Sequence, residues 1–171
     1  MIITDVDKLR ENCGLVDPKD TREIIRELEK ELEAANKYSL TGIGLAAPQI
    51  GINKRVAIIR IDNIKFDLVN CSIEKKVDPT AFREGCLSIP GKSVFVERYN
   101  EVMINDNLLG NINKFVAFGL VSVCIQHEMD HWDGILMVDK AISEHTNVSL
   151  DNLPCPCKSG LKYKKCCKRK K

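Results

Sequence analysis

The sequence predicts an α+β fold, in which small antiparallel or mixed β-sheets pack around one central helix carrying an HExxH pattern, with a short cysteine-rich knuckle appended at the C-terminus. Three observations carry this prediction. An apolar stretch runs directly into residues 126–131 (QHEMDH), short β-branched runs precede it, and four cysteines crowd into residues 155–167. A chain of 171 residues suits one domain of ordinary core size with a small appendage.

Asp20, followed by Glu23 and then by Ile24, Ile25, Leu28, Leu32 and Ala35, reads as a capped amphipathic helix ending near Asn36. Residues 41–51 (TGIGLAAPQIG) hold three glycines and a proline, which argues against regular structure and suggests backbone lying close to a ligand. Residues 55–61 (RVAIIRI) and 66–70 read as strands, residues 75–82 as turn and loop, and residues 84–91 (EGCLSIPG) as a connection containing Cys86. Residues 93–96 and 101–105 alternate as strands of a small antiparallel sheet, 106–111 make a hairpin turn, and the return strand starts near Ile112. From Val116 onward, Leu120, Val121, Val123, Cys124 and Ile125 build one long buried helix, stopped by Asp133 and a glycine cap at Gly134. After Asp139 the apolar pattern weakens. No internal repeat interrupts this order.

Composition narrows the class. Hydrophobic residues make up 44% of the chain and charged residues 29%, and no apolar run approaches the ~18 residues of a membrane span. The opening MIITDVDKLR has no basic region followed by an apolar core, so no secretory signal and a cytoplasmic location are expected. In that compartment eight cysteines point to reduced thiols serving as ligands or core residues, not to disulfides. The net charge of +2 hides a division. Residues 158–171 contain eight basic side chains and no acidic one, which leaves 18 basic against 24 acidic residues elsewhere, a formal charge of −6.

On a helix, His127 and His131 share a face and can hold one metal ion between two imidazoles, while Glu128 is turned away but within reach of a water at that ion. Two surface histidines that fall one turn apart would show the same spacing. A catalytic site needs a third protein ligand and one open position. Downstream the chain offers Asp133, Asp139, Glu144 and His145; upstream it offers Cys86.

GIGLAAPQ at residues 42–49, EGCLS at 84–88 and QHEMDH at 126–131 together resemble, in order and separation, the three signature motifs of the peptide deformylases. The resemblance covers roughly residues 1–139. It implies a metal-dependent hydrolase of the linear-amide (EC 3.5.1) type that removes the formyl group from the N-terminal formyl-methionine of nascent chains and releases formate. Carried over residue by residue, it makes Cys86, His127 and His131 the metal ligands, Glu128 the general acid and base, and Gln49 with the backbone N–H of Leu87 the oxyanion donors. Gly42, Ile43 and Gly44 would lie along the peptide, Phe82, Leu120, Val123 and Cys124 would line the methionine pocket, and Arg98 would stand near it. Fe²⁺ is the implied metal, with Zn²⁺ or Ni²⁺ compatible with the same ligands. Trp132 stands where the family usually has leucine.

Residues 155–167 place Cys155 and Cys157 ahead of Cys166 and Cys167, four thiolates suited to one structural Zn²⁺. The stretch resembles the SEC-C motif, with Lys158 where that motif usually has glycine. The expected division is therefore a catalytic domain over residues 1–142, a linker over 143–153 and a zinc-binding basic tail over 154–171. That tail would be drawn to ribosomal RNA or to an acidic protein surface. The competing readings are an HExxH metallopeptidase cleaving internal peptide bonds and an inactive scaffold acting through its tail.

Overall fold

The computed structural model of the chain describes residues 1–37, 42–61, 63–106, 113–142 and 165. A short helix, α1 (Val6–Leu9), is capped by the Asp5 carboxylate and leads to the long helix α2 (Pro18–Lys37). The latter begins three residues earlier than expected from a cap at Asp20. Asp17 accepts the Lys19 N–H at 3.0 Å, and Pro18 has no N–H to leave unsatisfied at the first helical position. Thr21, Ile24, Leu28, Leu32 and Ala35 form its buried stripe.

The glycine-rich stretch is more regular than its composition suggests. It contains strand β1 (Gly44–Ala46) and a 3₁₀ turn (Ala47–Ile50), because β1 pairs antiparallel with β2 (Val56–Ile61) in the register Leu45↔Ile58. β3 (Ile64–Val69) completes this first sheet.

The second sheet departs most from expectation. Residues 75–82, read as loop, lie inside the 15-residue strand β4 (Ser72–Cys86). Its charged sequence and Pro79 are tolerated because β4 is an edge strand, paired among the described residues only with β5 (Ile89–Asp106). The two short strands expected at 93–96 and 101–105 are parts of that single β5. β6 (Asn113–Phe118) closes the sheet and takes in Val116, so α3 (Gly119–Trp132) starts three residues later than expected, at Gly119 with φ 58°. The helix ends at Asp133 and Gly134 as expected, with Gly134 at φ 67°. A second 3₁₀ turn (Met137–Lys140) follows. Positions 107–111 of the expected hairpin turn, and Ile112 at the expected start of the return strand, fall outside the described residues. So do the linker and all four tail cysteines.

Two cores meet on β2. Ala57 and Ile59 face a cluster with Val102, Ile104, Ile125 and Trp132, whereas Val56 and Ile58 face α2 through Leu28 and Leu32. That two-sided burial accounts for the nearly continuous apolar run of RVAIIRI. Trp132 is completely buried, and its Nε1–H donates to the Val56 carbonyl at 3.2 Å. Among the described residues no helix is long and apolar enough to cross a membrane.

Candidate active site

Three elements bring the motifs together. α3 presents His127, Glu128 and His131; the tight connection between β4 and β5 presents Cys86, Leu87 and Ser88; β1 and its 3₁₀ turn present Gly44 and Gln49. A register shift between Gly85 and Cys86, where Cys86 pairs with Ile89, turns the end of β4 toward the helix. The donor atoms of Cys86, His127 and His131 lie within 4.8 Å of one another, and Cys86 Sγ stands 3.4 Å from His131 Nε2. A tetrahedral ion with nitrogens at ~2.0–2.1 Å and sulfur at ~2.3 Å separates its donors by roughly 3.3–3.6 Å. The thiolate and two imidazoles therefore suit a divalent ion.

Electrostatics around this cluster are polarised by burial. Burial, followed by the neighbouring His127 and Arg98, pushes His131 down to about 3, so its ring is neutral, the form that ligates a metal. Burial raises the Glu128 carboxyl to about 7. Its Oε2 finds no hydrogen-bond partner among the described residues, which leaves one buried carboxylate oxygen for a substrate or water. His131 Nδ1 is likewise without a partner there.

His127 is held from behind. Its Nδ1 meets Glu84 Oε2 at 2.9 Å, Glu84 receives two bonds from Arg98 at 2.6 and 2.9 Å, and Arg98 reaches Asp130 at 2.6 Å. Lys140 donates to the other Asp130 oxygen at 2.6 Å. Burial alone would raise Glu84, but the hydrogen bonds and charges of Arg98 and His127 outweigh it and hold the carboxyl at about 2. Such a partner fixes the tautomer and orientation of a metal-binding imidazole.

Arg98 was expected near the methionine pocket. The structure places its 2%-exposed guanidinium on Glu84, which lines the cavity beside the metal cluster, and on Asp130; Arg98 itself supports His127 from behind that lining and is not part of it. The remaining expected residues do line that cavity of about 360 Å³: Gly42, Ile43, Gly44, Phe82, Leu87, Leu120, Val123 and Cys124. Burial, then Glu128 and Glu84, push the Cys124 thiol up to about 12, so it behaves as a neutral wall.

The two glycines also have a reason internal to the chain to lack a side chain. A Cβ on Gly44 would collide with the Glu128 carboxylate, and one on Gly42 would come within 2.7 Å of Leu87 and 2.9 Å of Leu32. Their bare backbone makes space for the chain's own side chains. Gln49 is pinned on both ends: Oε1 accepts the Ala46 N–H at 2.8 Å, while Nε2 donates to Ser88 Oγ at 3.1 Å and points to Cys86 Sγ at 3.4 Å.

Glu84, Ser88, Asp130 and Lys140 were given no role from sequence. Glu84 had a usable signal, since Phe82 and Glu84 are two residues apart and share a face once 72–86 is seen as a strand.

Comparison with known proteins identifies the family. The sequence matches the polypeptide deformylase family over residues 2–147 and the SEC-C motif over residues 152–169. It is 39% identical over 148 residues to a peptide deformylase of Prochlorococcus marinus strain MIT 9312, covering 81% of this chain and 71% of that protein. The structure is similar to a peptide deformylase from Synechococcus elongatus in complex with actinonin, with a TM-score of 0.74 and 37% identity over 84% of this chain and 78% of the other. It also resembles the Thermotoga maritima peptide deformylase, with a TM-score of 0.74 and 29% identity over 84% and 97% of the two chains. The chain belongs to the polypeptide deformylase family, metal-dependent hydrolases that remove the N-formyl group from nascent peptides.

Proposed function

We propose that Cys86, His127 and His131 hold the catalytic divalent ion and that Glu128 moves the proton in deformylation. The observation that carries this reading is the convergence of those three donors beside a buried carboxylate with a free oxygen. Two of the downstream alternatives for a third ligand are engaged elsewhere: Asp133 pairs with Arg55 at 2.7 Å, and Asp139 with Arg10 at 2.7 and 2.9 Å, while Glu144 and His145 lie outside the described residues. This favours Cys86 and weighs against the metallopeptidase reading. Fe²⁺, Zn²⁺ and Ni²⁺ all suit two imidazoles and a thiolate, and the family likeness favours Fe²⁺. When bound, such an ion acidifies water and polarises the formyl carbonyl.

The rest of the chemistry belongs to the chain. Glu128, placed by its gap over Gly44, takes the proton from the attacking water and later delivers it to the departing amine. Gln49 Nε2 and the Leu87 backbone N–H face the formyl oxygen as negative charge develops there, with Gln49 kept in place by Ala46 and Ser88. Leu120, Val123, Cys124 and Phe82 provide an apolar enclosure for the methionine side chain.

Cys86→Ser tests the ligand assignment, because a neutral hydroxyl is a poor substitute for a thiolate. Metal content and formate release from a formyl-Met peptide are expected to fall together. Full occupancy with full rate would move the third ligand elsewhere, and cleavage of an unblocked peptide would support the peptidase.

The domain division at 142 and 153, and a cytoplasmic location, complete this reading. In the SEC-C segment, Cys155, Cys157, Cys166 and Cys167 are proposed to bind one structural Zn²⁺, and the eight basic residues to contact ribosomal RNA through phosphates. Truncation after Leu153 is then expected to leave turnover of a short formyl-peptide almost unchanged while weakening ribosome co-sedimentation at low salt. Lost turnover, or unchanged co-sedimentation, would contradict this role; an acidic protein surface would be the next partner to test.

A further inference from the structure

Four charged side chains line the cavity beside the metal cluster: Arg83, Glu84, Lys92 and Glu128. The two carboxylates are buried, Glu84 spent on Arg98 and His127 and Glu128 assigned to the proton transfer. The remaining two are cations, and both are exposed. Arg83, on β4, donates through Nε and Nη2 to Ser93 Oγ at 3.0 and 2.8 Å, and Ser93 directly follows Lys92 on β5. That hydroxyl tethers the guanidinium without cancelling its charge. Neither cation forms a salt bridge with a carboxylate among the described residues.

A formylated N-terminus is neutral, so the first charges such a substrate brings to the cavity are its side chains. We propose that Arg83 and Lys92 select nascent peptides that carry an acidic residue within the first two positions after the methionine. The inference rests on the cavity being where the formyl-Met end is held. Arg83 and Lys92 belong to the exposed part of the lining of this cavity of about 360 Å³, so with the formyl-Met end held at its buried part the residues that follow run out past the two cations. Exposed ion pairs are individually weak and screened by salt, and two acting on one side chain correspond to a preference of roughly threefold to tenfold at low ionic strength.

The test compares kcat/KM for formyl-Met tripeptide amides with glutamate, glutamine or lysine at the second or third position, the amide removing the terminal carboxylate. The unaltered enzyme is expected to rank glutamate above glutamine above lysine through KM, with the spread collapsing at high salt. In the Arg83→Gln/Lys92→Gln double variant the three rates should converge while the glutamine peptide is turned over as before. Equal rates in the unaltered enzyme overturn the proposal, and so does a preference that survives in the double variant, whose source would then be elsewhere, such as the basic tail. Loss of turnover of the glutamine peptide in the double variant also overturns it, because the cations would then serve every substrate alike. If the unaltered enzyme fails on the glutamine peptide, the reading of the cavity fails and takes the inference with it.

Discussion

Glu128→Gln is expected to keep its metal and lose deformylation by about 10²–10⁴-fold, the usual contribution of a positioned general acid or base. The amide fills the same space over Gly44, so burial and packing at this 4%-exposed position stay as they are. What disappears is the only buried carboxylate oxygen at the cluster without a partner among the described residues. Formate release measured alongside metal content separates the outcomes. Loss of metal would make Glu128 a ligand, and a rate near that of the unaltered enzyme would place the base on another residue.

Arg98→Leu is expected to destabilise the fold by about 3–5 kcal/mol, the range for removing one partner of a buried ion pair. Replacement by leucine leaves Glu84, 5% exposed at its side chain, and Asp130, 14% exposed, without their shared cation. Glu84 would also lose the two bonds that hold it against His127, so the imidazole should become less well oriented and metal affinity should fall with stability. Urea unfolding measures the first effect and metal titration the second. A loss below about 1 kcal/mol would show that the guanidinium is not the support for Glu84 that its distances suggest.

What could be read from sequence, and what could not, follows from how local each feature is. His127, Glu128 and His131 lie within one helical turn, and the apolar run ahead of them gives that helix away. β2 was equally legible, because a strand buried on both faces is apolar at nearly every position. β4 was not: an edge strand with one solvated face and long charged side chains has the composition of a loop, and its pairing with β5 is set by the partner. Missing β4 meant missing Glu84, whose role depends on the face it shares with Phe82. The Glu84–Arg98 contact joins residues 14 apart that meet only across the β4–β5 ladder, and Lys140 joins Asp130 from a 3₁₀ turn after the helix. Gly44 was legible as a close approach of backbone to something, but the approaching group, Glu128, lies 84 positions further along the chain.

The position of β2 bears on how the enzyme comes apart. A strand that lends alternate side chains to two clusters cannot leave one without leaving the other, and the indole of Trp132 fastens the end of the histidine helix to that same strand. The two halves are thus expected to unfold as one cooperative unit, with no separate melting transition for either core. Residues that never touch substrate, such as Leu28 on the buried face of α2, therefore hold the ligand geometry through global stability, and a cavity cut there drains the metal site by populating the unfolded chain and not by bending the site itself.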